Sequence, residues 1–312
     1  MTGIIRIGTE NMSHEVWLEE RRKGLGGSDA AAVVGLNAYT SPYALWADKT
    51  GRLPPREDNE AMRQGRDLEG YVASRWEEAT GKKARRVNAI LRNPDIPFAH
   101  ANIDRMVVGE HAGLELKTTS VLNLKKFRNG EYPPNYYCQC CHYMMVTGAE
   151  RWYLGVLVLN QGFYEYVIDR DEDEIKALRD AEEAFWSLVE SDTPPPVDGS
   201  GATTEALQAI FTDDNGEGVE LFGMDGRLAQ WFALVRQEKE IERQKEEIKQ
   251  ELMKTMGEAQ RGYGGIGLVD WSSRSRRSLD VGALKEAMPD IDLEPYYKTT
   301  CFRTFQIKEE KA

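Results

Sequence analysis

One short stretch constrains the fold most strongly, because its charged and apolar side chains alternate on both sides of a turn. Asp104 lies before the turn at 109–112, and Glu115, Leu116 and Lys117 follow it. Two apolar segments around such a turn predict an antiparallel hairpin. Since side chains alternate along a strand, Leu116 points to a core while Glu115 and Lys117 share the opposite face. We expect the hairpin to bring Asp104 to that same face.

Two carboxylates and one ammonium on one surface suit a divalent metal site. Carboxylate oxygens are ligands that Mg²⁺ prefers. Lys117 is placed to orient or deprotonate a water, or to stabilise charge on a phosphate. A surface ion pair between Lys117 and Asp104 or Glu115 explains the same residues without any site. The spacing alone leaves both interpretations open.

The neighbouring segments are predicted to be short strands and amphipathic helices. Leu68, Val72 and Trp76 recur every four positions and predict a helix over 60–80, with Glu69 beside its apolar face. Further elements are predicted as helices over 121–128, 135–146 and 171–189, and as strands over 85–91, 98–108, 113–118, 151–159 and 163–168.

A glycine-rich turn, Gly24–Asp29, lies between two predicted helices near the N-terminus. Ser28 or Asp29 is suited to cap the second helix. The free N–H groups of such a helix start can also hold a phosphate. A plain capped turn and a phosphate site are both consistent with the pattern.

The charge balance argues against a uniformly basic nucleic-acid-binding surface. The chain has 40 Lys and Arg against 52 Asp and Glu, a net charge of −12, and a bulk negative field repels phosphates. Basic residues nevertheless cluster at Lys82, Lys83, Arg85 and Arg86. This cluster is either a solvated face or a patch that contacts a phosphate backbone.

Membrane and secreted classes are not expected. No segment approaches the length of about 20 apolar residues that a membrane span needs, and the N-terminus lacks a secretory pattern. Cys138, Cys140 and Cys141 crowd together and Cys301 lies apart. Without paired CxxC spacing they are interpreted as free thiols in a reducing, cytoplasmic setting.

Composition divides the chain into three regions: a core at 1–195, a linker at 196–225 and an extension at 226–312, with Pro, Gly, Ser and Thr dominating the stretch 193–203 at the boundary. The extension begins with a long predicted helix, 228–256. Strands over 267–274 and 300–307 and a short helix over 281–288 are predicted to follow. The apolar positions of the long helix indicate packing on the core or on a neighbouring subunit.

Taken together, the ordered motifs resemble the PD-(D/E)xK nuclease superfamily and, within it, the YqaJ-like viral recombinase family, relatives of the phage lambda exonuclease. The resemblance covers about residues 15–170. Its residues are Arg22, Gly24–Ala30, Ser41–Tyr43, Leu45, Trp46, Gly65, Leu68, Glu69, Ala101–Arg105, Leu114–Thr119, Tyr137, Gln139, Tyr143, Met144 and Val146–Gly148.

This resemblance implies an α/β fold with a PD-(D/E)xK core, in which helices flank a central mixed β-sheet, and a mainly helical C-terminal extension. The implied activity is a Mg²⁺-dependent 5′-to-3′ double-strand DNA exonuclease, with Mn²⁺ as a substitute, that leaves 3′ overhangs. The implied partners are DNA ends with a 5′-phosphate, a single-strand annealing protein in phage-type recombination, and two further copies in a homotrimeric ring.

The resemblance also assigns roles to single residues. It implies that Asp104, Glu115 and the carbonyl of Leu116 hold the metal, and that Lys117 positions the attacking water. Glu69 is expected to reach the metal directly or through water. The other implied roles are a contact of Gln139 with the water or the scissile phosphate, and binding of the 5′-phosphate by Arg22 and Ser28.

Some features depart from the family pattern or leave alternatives open. Ile103 stands where the superfamily has proline, a position that shapes the strand but supplies no ligand. Asp95 is the nearest candidate for a further acidic metal-site residue. His142 either faces the site from the helix of Gln139 or is packed elsewhere. Two rival functions remain: a catalytically silent DNA-binding scaffold, and a structure-specific or CRISPR-adaptation-type nuclease on the same core.

Overall fold

A computed structural model describes residues 3–55, 58–288, 292–298 and 307. The chain divides into two compact units, Met1–Phe211 and Thr212–Ala312. The helices of the first unit are α1 (His14–Arg22), α2 (Gly27–Val33), α3 (Pro42–Lys49), α4 (Glu60–Thr80), α5 (Pro134–Thr147), α6 (Glu172–Glu190) and α7 (Gly201–Ile210), with a 3-10 helix at Val121–Phe127.

The strands of the first unit form two sheets. They are β1 (Ile5–Gly8), β2 (Ala84–Arg86), β3 (Ala89–Arg92), β4 (His100–Asn102), β5 (Arg105–Val107), β6 (Ala112–Thr119), β7 (Arg151–Val158) and β8 (Gly162–Asp169). The larger sheet has the order β2-β5-β6-β7-β8 and the smaller one the order β1-β3-β4. β6 and β7 are parallel, and the other neighbours in the larger sheet are antiparallel. The predicted mixed sheet flanked by helices is confirmed.

Helix α4 covers one face of the larger sheet. Asn59 caps its start by accepting a hydrogen bond from the N–H of Met62, and Gly81 ends it in the left-handed conformation. Its apolar residues Val72 and Trp76 pack in one buried cluster with Leu114 and Leu116 of β6. The predicted helix over 60–80 is confirmed, and so is the inward face of the predicted hairpin strand.

The opposite face of β6 faces α5, and one glycine permits close packing there. The indole of Trp152, on β7, crosses directly over Gly113, where an added Cβ atom would lie 2.2 Å from the ring. Glu115 and Lys117 follow Gly113 on this same face, because side chains alternate along β6. α5 therefore packs against the face that carries the charged residues of the predicted site.

Two of the predicted strands are each divided between the sheets. The segment predicted as one strand over 85–91 forms β2 in the larger sheet and β3 in the smaller one. The segment predicted over 98–108 forms β4 in the smaller sheet and β5 in the larger one. The chain thus crosses from one sheet to the other at 87–88 and again at 103–104, which leaves Asp104 between strands.

A fully buried ion pair joins α5 to α6. His142 Nδ1 lies 2.8 Å from a carboxylate oxygen of Glu182, and its Nε2 lies 2.9 Å from the carbonyl oxygen of His100. Both partners accept, so both ring nitrogens donate and His142 is an imidazolium. Burial alone lowers the pKa of His142, but the charge of Glu182 outweighs burial and raises it. Of the two interpretations of His142, the structure favours the packed one.

The segment 196–225 differs from the expected linker. It contains α7, where the hydroxyl of Thr203 is buried and lies 2.7 Å from that of Ser41 at the start of α3. Ser200 caps α7 by accepting a hydrogen bond from the N–H of Thr203. Ser200, which belongs to a stretch with the composition of a linker, thus caps a helix that packs within the first unit.

The second unit contains a long helix, α8 (Asp225–Met256), a ribbon of β9 (Arg261–Tyr263) and β10 (Leu268–Asp270), and the helix α9 (Val281–Ala287). The helix predicted over 228–256 is confirmed. The strand predicted over 300–307 and Cys301 lie outside the described residues, apart from Ile307. Among the described residues, no helix combines the length and apolarity that crossing a membrane requires.

We expect Gly113→Ala to lower the free energy of unfolding by about 1–3 kcal/mol, because the new methyl group must displace the Trp152 ring. Gly162→Ala is the matched control, since a Cβ atom at Gly162 meets open space. Urea denaturation of both variants tests this. A Gly113→Ala protein as stable as the control would show that the ring does not pack there.

The His142–Glu182 pair predicts a pH dependence of stability. Its contribution is complete below the unfolded His pKa of about 6.5 and is lost as the pH rises through the raised folded pKa. Nearby Asp29 also raises the pKa of His142, whereas burial lowers that of His100 to about 3 and keeps His100 neutral.

Urea denaturation between pH 6 and pH 10 measures this contribution. Glu182→Gln should cost about 3–5 kcal/mol at pH 6 and flatten the profile. Glu183→Gln, an exposed neighbour on the same helix, should leave the wild-type profile unchanged. Parallel profiles of the wild type and Glu182→Gln would contradict the charged pair.

Candidate active site

Asp104 occupies the crossing point between the two sheets. Pairing between β5 and β6 ends at Arg105 and Leu114. The next N–H group of β6 that points towards the β5 side therefore has no partner on that strand. The Asp104 carboxylate accepts a hydrogen bond from this group, the N–H of Leu116, at 2.9 Å. Since the N–H and C=O of one strand residue point to the same side, the carbonyl of Leu116 faces the Asp104 side as well.

The next residues on β6 form a hydrogen-bonded cluster with α5. The ammonium of Lys117 pairs with Glu115 and donates to the amide oxygen of Gln139 at 2.8 Å. The amide nitrogen of Gln139 donates to the same Glu115 oxygen at 2.9 Å. The Glu115 side chain is only 3% exposed. The structure therefore brings Asp104, Glu115, Lys117 and Gln139 together.

Tyr143 completes this cluster, although the sequence indicates only a core position for it. Its hydroxyl lies 2.8 Å from the amide nitrogen of Gln139. Both N–H groups of Gln139 thus have protein acceptors, which fixes the orientation of the amide. The Tyr143 ring also packs against Gly27, where a Cβ atom would lie 2.5 Å away. One side chain therefore contacts both the glycine-rich turn and the charged cluster.

The charged side chains of the cluster lie close together and are poorly solvated, which shifts their pKa values. Burial and the negative charge of Glu115 raise the pKa of Asp104 well above its usual range, and Lys117 offsets only part of this. Burial alone lowers the pKa of Lys117, but Glu115 and Asp104 outweigh burial and raise it. A further cation beside the carboxylates would relieve the repulsion between them.

One buried oxygen of the cluster has no partner among the described residues. Glu115 Oε2 is inaccessible to water and accepts no hydrogen bond there, which is costly for an ionised oxygen. Among the described residues, no group of three or more His, Cys, Asp or Glu side chains is arranged to hold a metal. The available donors are therefore two carboxylates and the carbonyl of Leu116, a hard oxygen set that fits Mg²⁺ with water filling the other positions.

Glu69 lies near the cluster but faces two arginines. Its carboxylate is 3.2 Å from the guanidinium of Arg105, the residue after Asp104, and 3.4 Å from that of Arg86. Its charge contributes to the raised pKa of Asp104. The structure thus places Glu69 beside the site. Its carboxylate is paired with Arg105 and is not free to act as a third carboxylate ligand.

At the glycine-rich turn, the structure pairs Ser28 with Arg21 and not with Arg22. The Arg21 guanidinium donates to the Ser28 hydroxyl at 2.8 Å and stacks over the Trp17 ring at 4.8 Å. Arg22 instead lies 3.8 Å from Asp48. The structure therefore brings Arg21 to Ser28 in place of Arg22, while the 5′-phosphate role implied for Arg22 and Ser28 stays a prediction. Arg21 and Arg22 are adjacent at the end of α1, so the sequence alone is compatible with either arginine as the partner of Ser28.

Buried charges hold this turn in place. The Lys49 ammonium lies 2.7 Å from the Asp29 carboxylate and donates to the carbonyl of Arg21 at 3.1 Å. Asp29 also accepts from the N–H of Gly26 at 2.9 Å, which closes the start of α2. Burial alone raises the pKa of Asp29, but Lys49 and Arg21 outweigh burial and hold that pKa well below its usual range.

The predicted basic cluster is largely neutralised by carboxylates of the same unit. Lys82 pairs with Glu110, Lys83 lies 2.8 Å from Glu77, and Arg86 contacts Glu69. Arg85 is exposed and lines a cavity of about 450 Å³ together with Arg6 and His111. Of the four residues, Arg85 and Arg86 lie closest to the point at 103–104 where the chain crosses between the sheets, because they pair with Met106 and Arg105 of β5.

The other candidates lie outside the cluster. Asp95 is exposed in the turn between β3 and β4, where its carbonyl accepts a hydrogen bond from Arg179. Cys138, Cys140 and Cys141 are buried free thiols, and burial raises the pKa of the Cys140 thiol well above its usual range. Ile103 is buried in the main core.

Comparison with known proteins identifies the family of this chain. A profile of the YqaJ-like viral recombinase domain matches residues 16–150. The YqaJ protein of Bacillus subtilis (strain 168) is 39% identical over 304 residues, which cover 96% of this chain and 95% of that protein.

Solved structures share the fold. The crystal structure of LHK-Exo in complex with dAMP has a TM-score of 0.50 and 22% identity, and the match covers 57% of this chain and 93% of that one. A second structure, of the alkaline exonuclease LHK-Exo from Laribacter hongkongensis, has a TM-score of 0.49 at the same identity and coverage. The predicted α/β fold with a central mixed sheet flanked by helices is thereby confirmed. The identity to YqaJ over nearly the whole length shows that the chain belongs to the YqaJ-like viral recombinase family.

Proposed function

We propose that this chain is a Mg²⁺-dependent 5′-to-3′ double-strand DNA exonuclease that leaves 3′ overhangs for homologous recombination. The observation that carries the proposal is the cluster of Asp104, Glu115 and Lys117 at the sheet crossing, with its raised Asp104 pKa and its unpartnered carboxylate oxygen. Family membership and the fold shared with an alkaline exonuclease support it.

Asp104, Glu115 and the carbonyl of Leu116 would hold the metal, and Mn²⁺ would substitute for Mg²⁺ because both accept hard oxygen ligands. Bound there, the ion supplies Lewis-acid stabilisation of the charge that develops on the scissile phosphate. Glu69 would join this set only after leaving Arg105, to which it is bound at 3.2 Å.

Lys117 acts as a fixed cation in this proposal. From its place beside Glu115, the ammonium of Lys117 would donate hydrogen bonds to the attacking water and the phosphate. Gln139 and the Tyr136 ring, whose centroid lies 5.2 Å from the ammonium, hold it in place. Since Gln139 already uses both N–H groups, it serves chiefly to position Lys117 and Glu115.

Arg21 and Ser28 would bind the 5′-phosphate of the strand being cut. An arginine and a hydroxyl at a glycine-rich turn supply charge-assisted hydrogen bonds to phosphate oxygens. Contact of Tyr143 with both Gly27 and Gln139 supports placing this phosphate near the cluster. Arg85, which is exposed, would contact the DNA backbone, and Arg86 would do so after leaving Glu69, with Lys82 and Lys83 farther along the same edge.

The assembly and partners follow from the family and are part of the same proposal. A homotrimeric ring would enclose the DNA, and a single-strand annealing protein would receive the 3′ overhang. A ring with basic residues inside reconciles DNA binding with the net charge of −12.

We expect Asp104→Asn and Glu115→Gln each to reduce Mg²⁺-dependent digestion of linear duplex DNA on the order of 100-fold or more, because each removes one metal ligand. Glu165→Gln, at an exposed position on β8, is the control that also removes one carboxylate. Strands labelled at one end report which strand is lost and in which direction.

Retention of activity by Asp104→Asn would refute the assigned site. Absence of cleavage by the wild type with either Mg²⁺ or Mn²⁺, together with tight DNA binding, would favour a silent DNA-binding scaffold. Cleavage at junctions or internal sites without digestion from ends would favour a structure-specific nuclease.

The pairing of Ser28 with Arg21 gives a second prediction. We expect Arg21→Ala to abolish the preference for 5′-phosphorylated over 5′-hydroxyl ends, a loss of about 10- to 100-fold for the two or so charged hydrogen bonds removed. Arg22→Ala is the matched control, because Arg22 lies beside Asp48, and it should keep the preference. Initial rates on the two kinds of duplex test both variants, and the opposite ranking would restore Arg22 to the role.

A further inference from the structure

The long helix α8 of the second unit carries an apolar stripe that no described residue covers. α8 spans 32 residues, and none of them is buried. Its large exposed apolar side chains are 44–58% accessible and comprise Trp231, Leu234, Ile241, Ile248 and Leu252. A row of such side chains along a charged helix marks an interaction surface.

The spacing of these residues is that of a coiled-coil seam. Leu234, Ile241 and Ile248 are seven residues apart, while Trp231 precedes the first by three and Leu252 follows the last by four. In one heptad register, all five therefore fall at the a and d positions that face a partner helix.

The two remaining seam positions carry charges, and these decide the orientation of the partner. Glu238 and Lys245 both occupy a positions. In a parallel pair each a residue faces its own copy, which places glutamate against glutamate and lysine against lysine. In an antiparallel pair a faces d, so that Glu238 lies opposite Ile248 of the second copy and next to its Lys245. Opposite charges then lie in neighbouring layers.

The flanking positions are complementary in the same orientation. Glu242 and Lys249 both occupy e positions, and antiparallel helices bring e positions of the two copies together. Glu242 of one copy thereby lies opposite Lys249 of the other, twice in the symmetric pair. Both apolar ends match as well, because Leu234 meets Leu252 of the second copy. Two copies of the helix are thus complementary when a two-fold axis near Arg243 relates them.

We propose that α8 pairs with α8 of a second copy as an antiparallel two-stranded coiled coil. This pairing is independent of the proposed activity. A two-fold interface requires an even number of chains in the assembly. If the core also forms a three-fold ring, the pairing joins two rings into six chains.

Light scattering after size exclusion tests the interface on the full-length chain. Ile241→Asp with Ile248→Asp places four aspartates in the seam of the pair and should halve the mass of the assembly. Gln250→Asp, on the opposite face of α8, is the control and should keep the wild-type mass. Circular dichroism verifies that all variants are folded. A wild-type assembly with an odd number of chains, or one whose mass the double variant does not change, would overturn the proposal.

Cross-linking tests the orientation separately. Leu234→Cys mixed with Leu252→Cys should form a covalent dimer that contains one chain of each variant. Leu234→Cys alone should not cross-link, because its two copies would lie about 27 Å apart along the antiparallel helices. The wild type under the same oxidant controls for the native thiols. A covalent dimer of Leu234→Cys alone would indicate a parallel pair and overturn the orientation.

Discussion

The hydrogen bond from the Leu116 N–H to the Asp104 carboxylate is the contact on which the site depends. It exists because the chain enters the larger sheet only after Asp104, so that β5 is too short to pair with Leu116. The side chain takes the place of the missing strand residue. The proposed metal ligand Asp104 is thereby fixed beside the strand that carries Glu115 and Lys117, although it belongs to neither strand of the hairpin.

A second constraint is the packing of α5 across that strand. Trp152 can cross over position 113 only because the residue there is glycine, and this brings α5 close enough for Gln139 to contact both Glu115 and Lys117. The ion pair of His142 with Glu182, one turn further along the same helix, also fixes α5 to α6. Gln139 is therefore held by a helix that is anchored by both contacts, which favours a single arrangement of the charged cluster.

The sequence predicts the parts of the site that follow from local periodicity. Alternation along β6 is sufficient to place Glu115 and Lys117 opposite Leu116, and four-residue spacing is sufficient to place α4. Local periodicity is not sufficient where tertiary contacts determine the position of a residue. The crossing between sheets at Asp104 is marked locally only by Asn102 and Asp104, two residues of types that are depleted in strands, which is too weak a signal to divide the predicted strand. Arg21 and Arg22 differ only in which side of α1 they occupy, and that side is set by Trp17 and Asp48.

The pairing of the basic residues bears on how an acidic protein of this kind would hold DNA. Lys82, Lys83 and Arg86 are already bound to carboxylates, so a phosphate backbone must compete with those partners for them. Exposed pairs of this kind contribute little stability, and exchanging a carboxylate for a phosphate leaves the cation paired. Release of Arg86 would also free Glu69 from one of its two arginines. In the proposed function, DNA binding along this edge would thereby be linked to the position of Glu69 beside the proposed metal site.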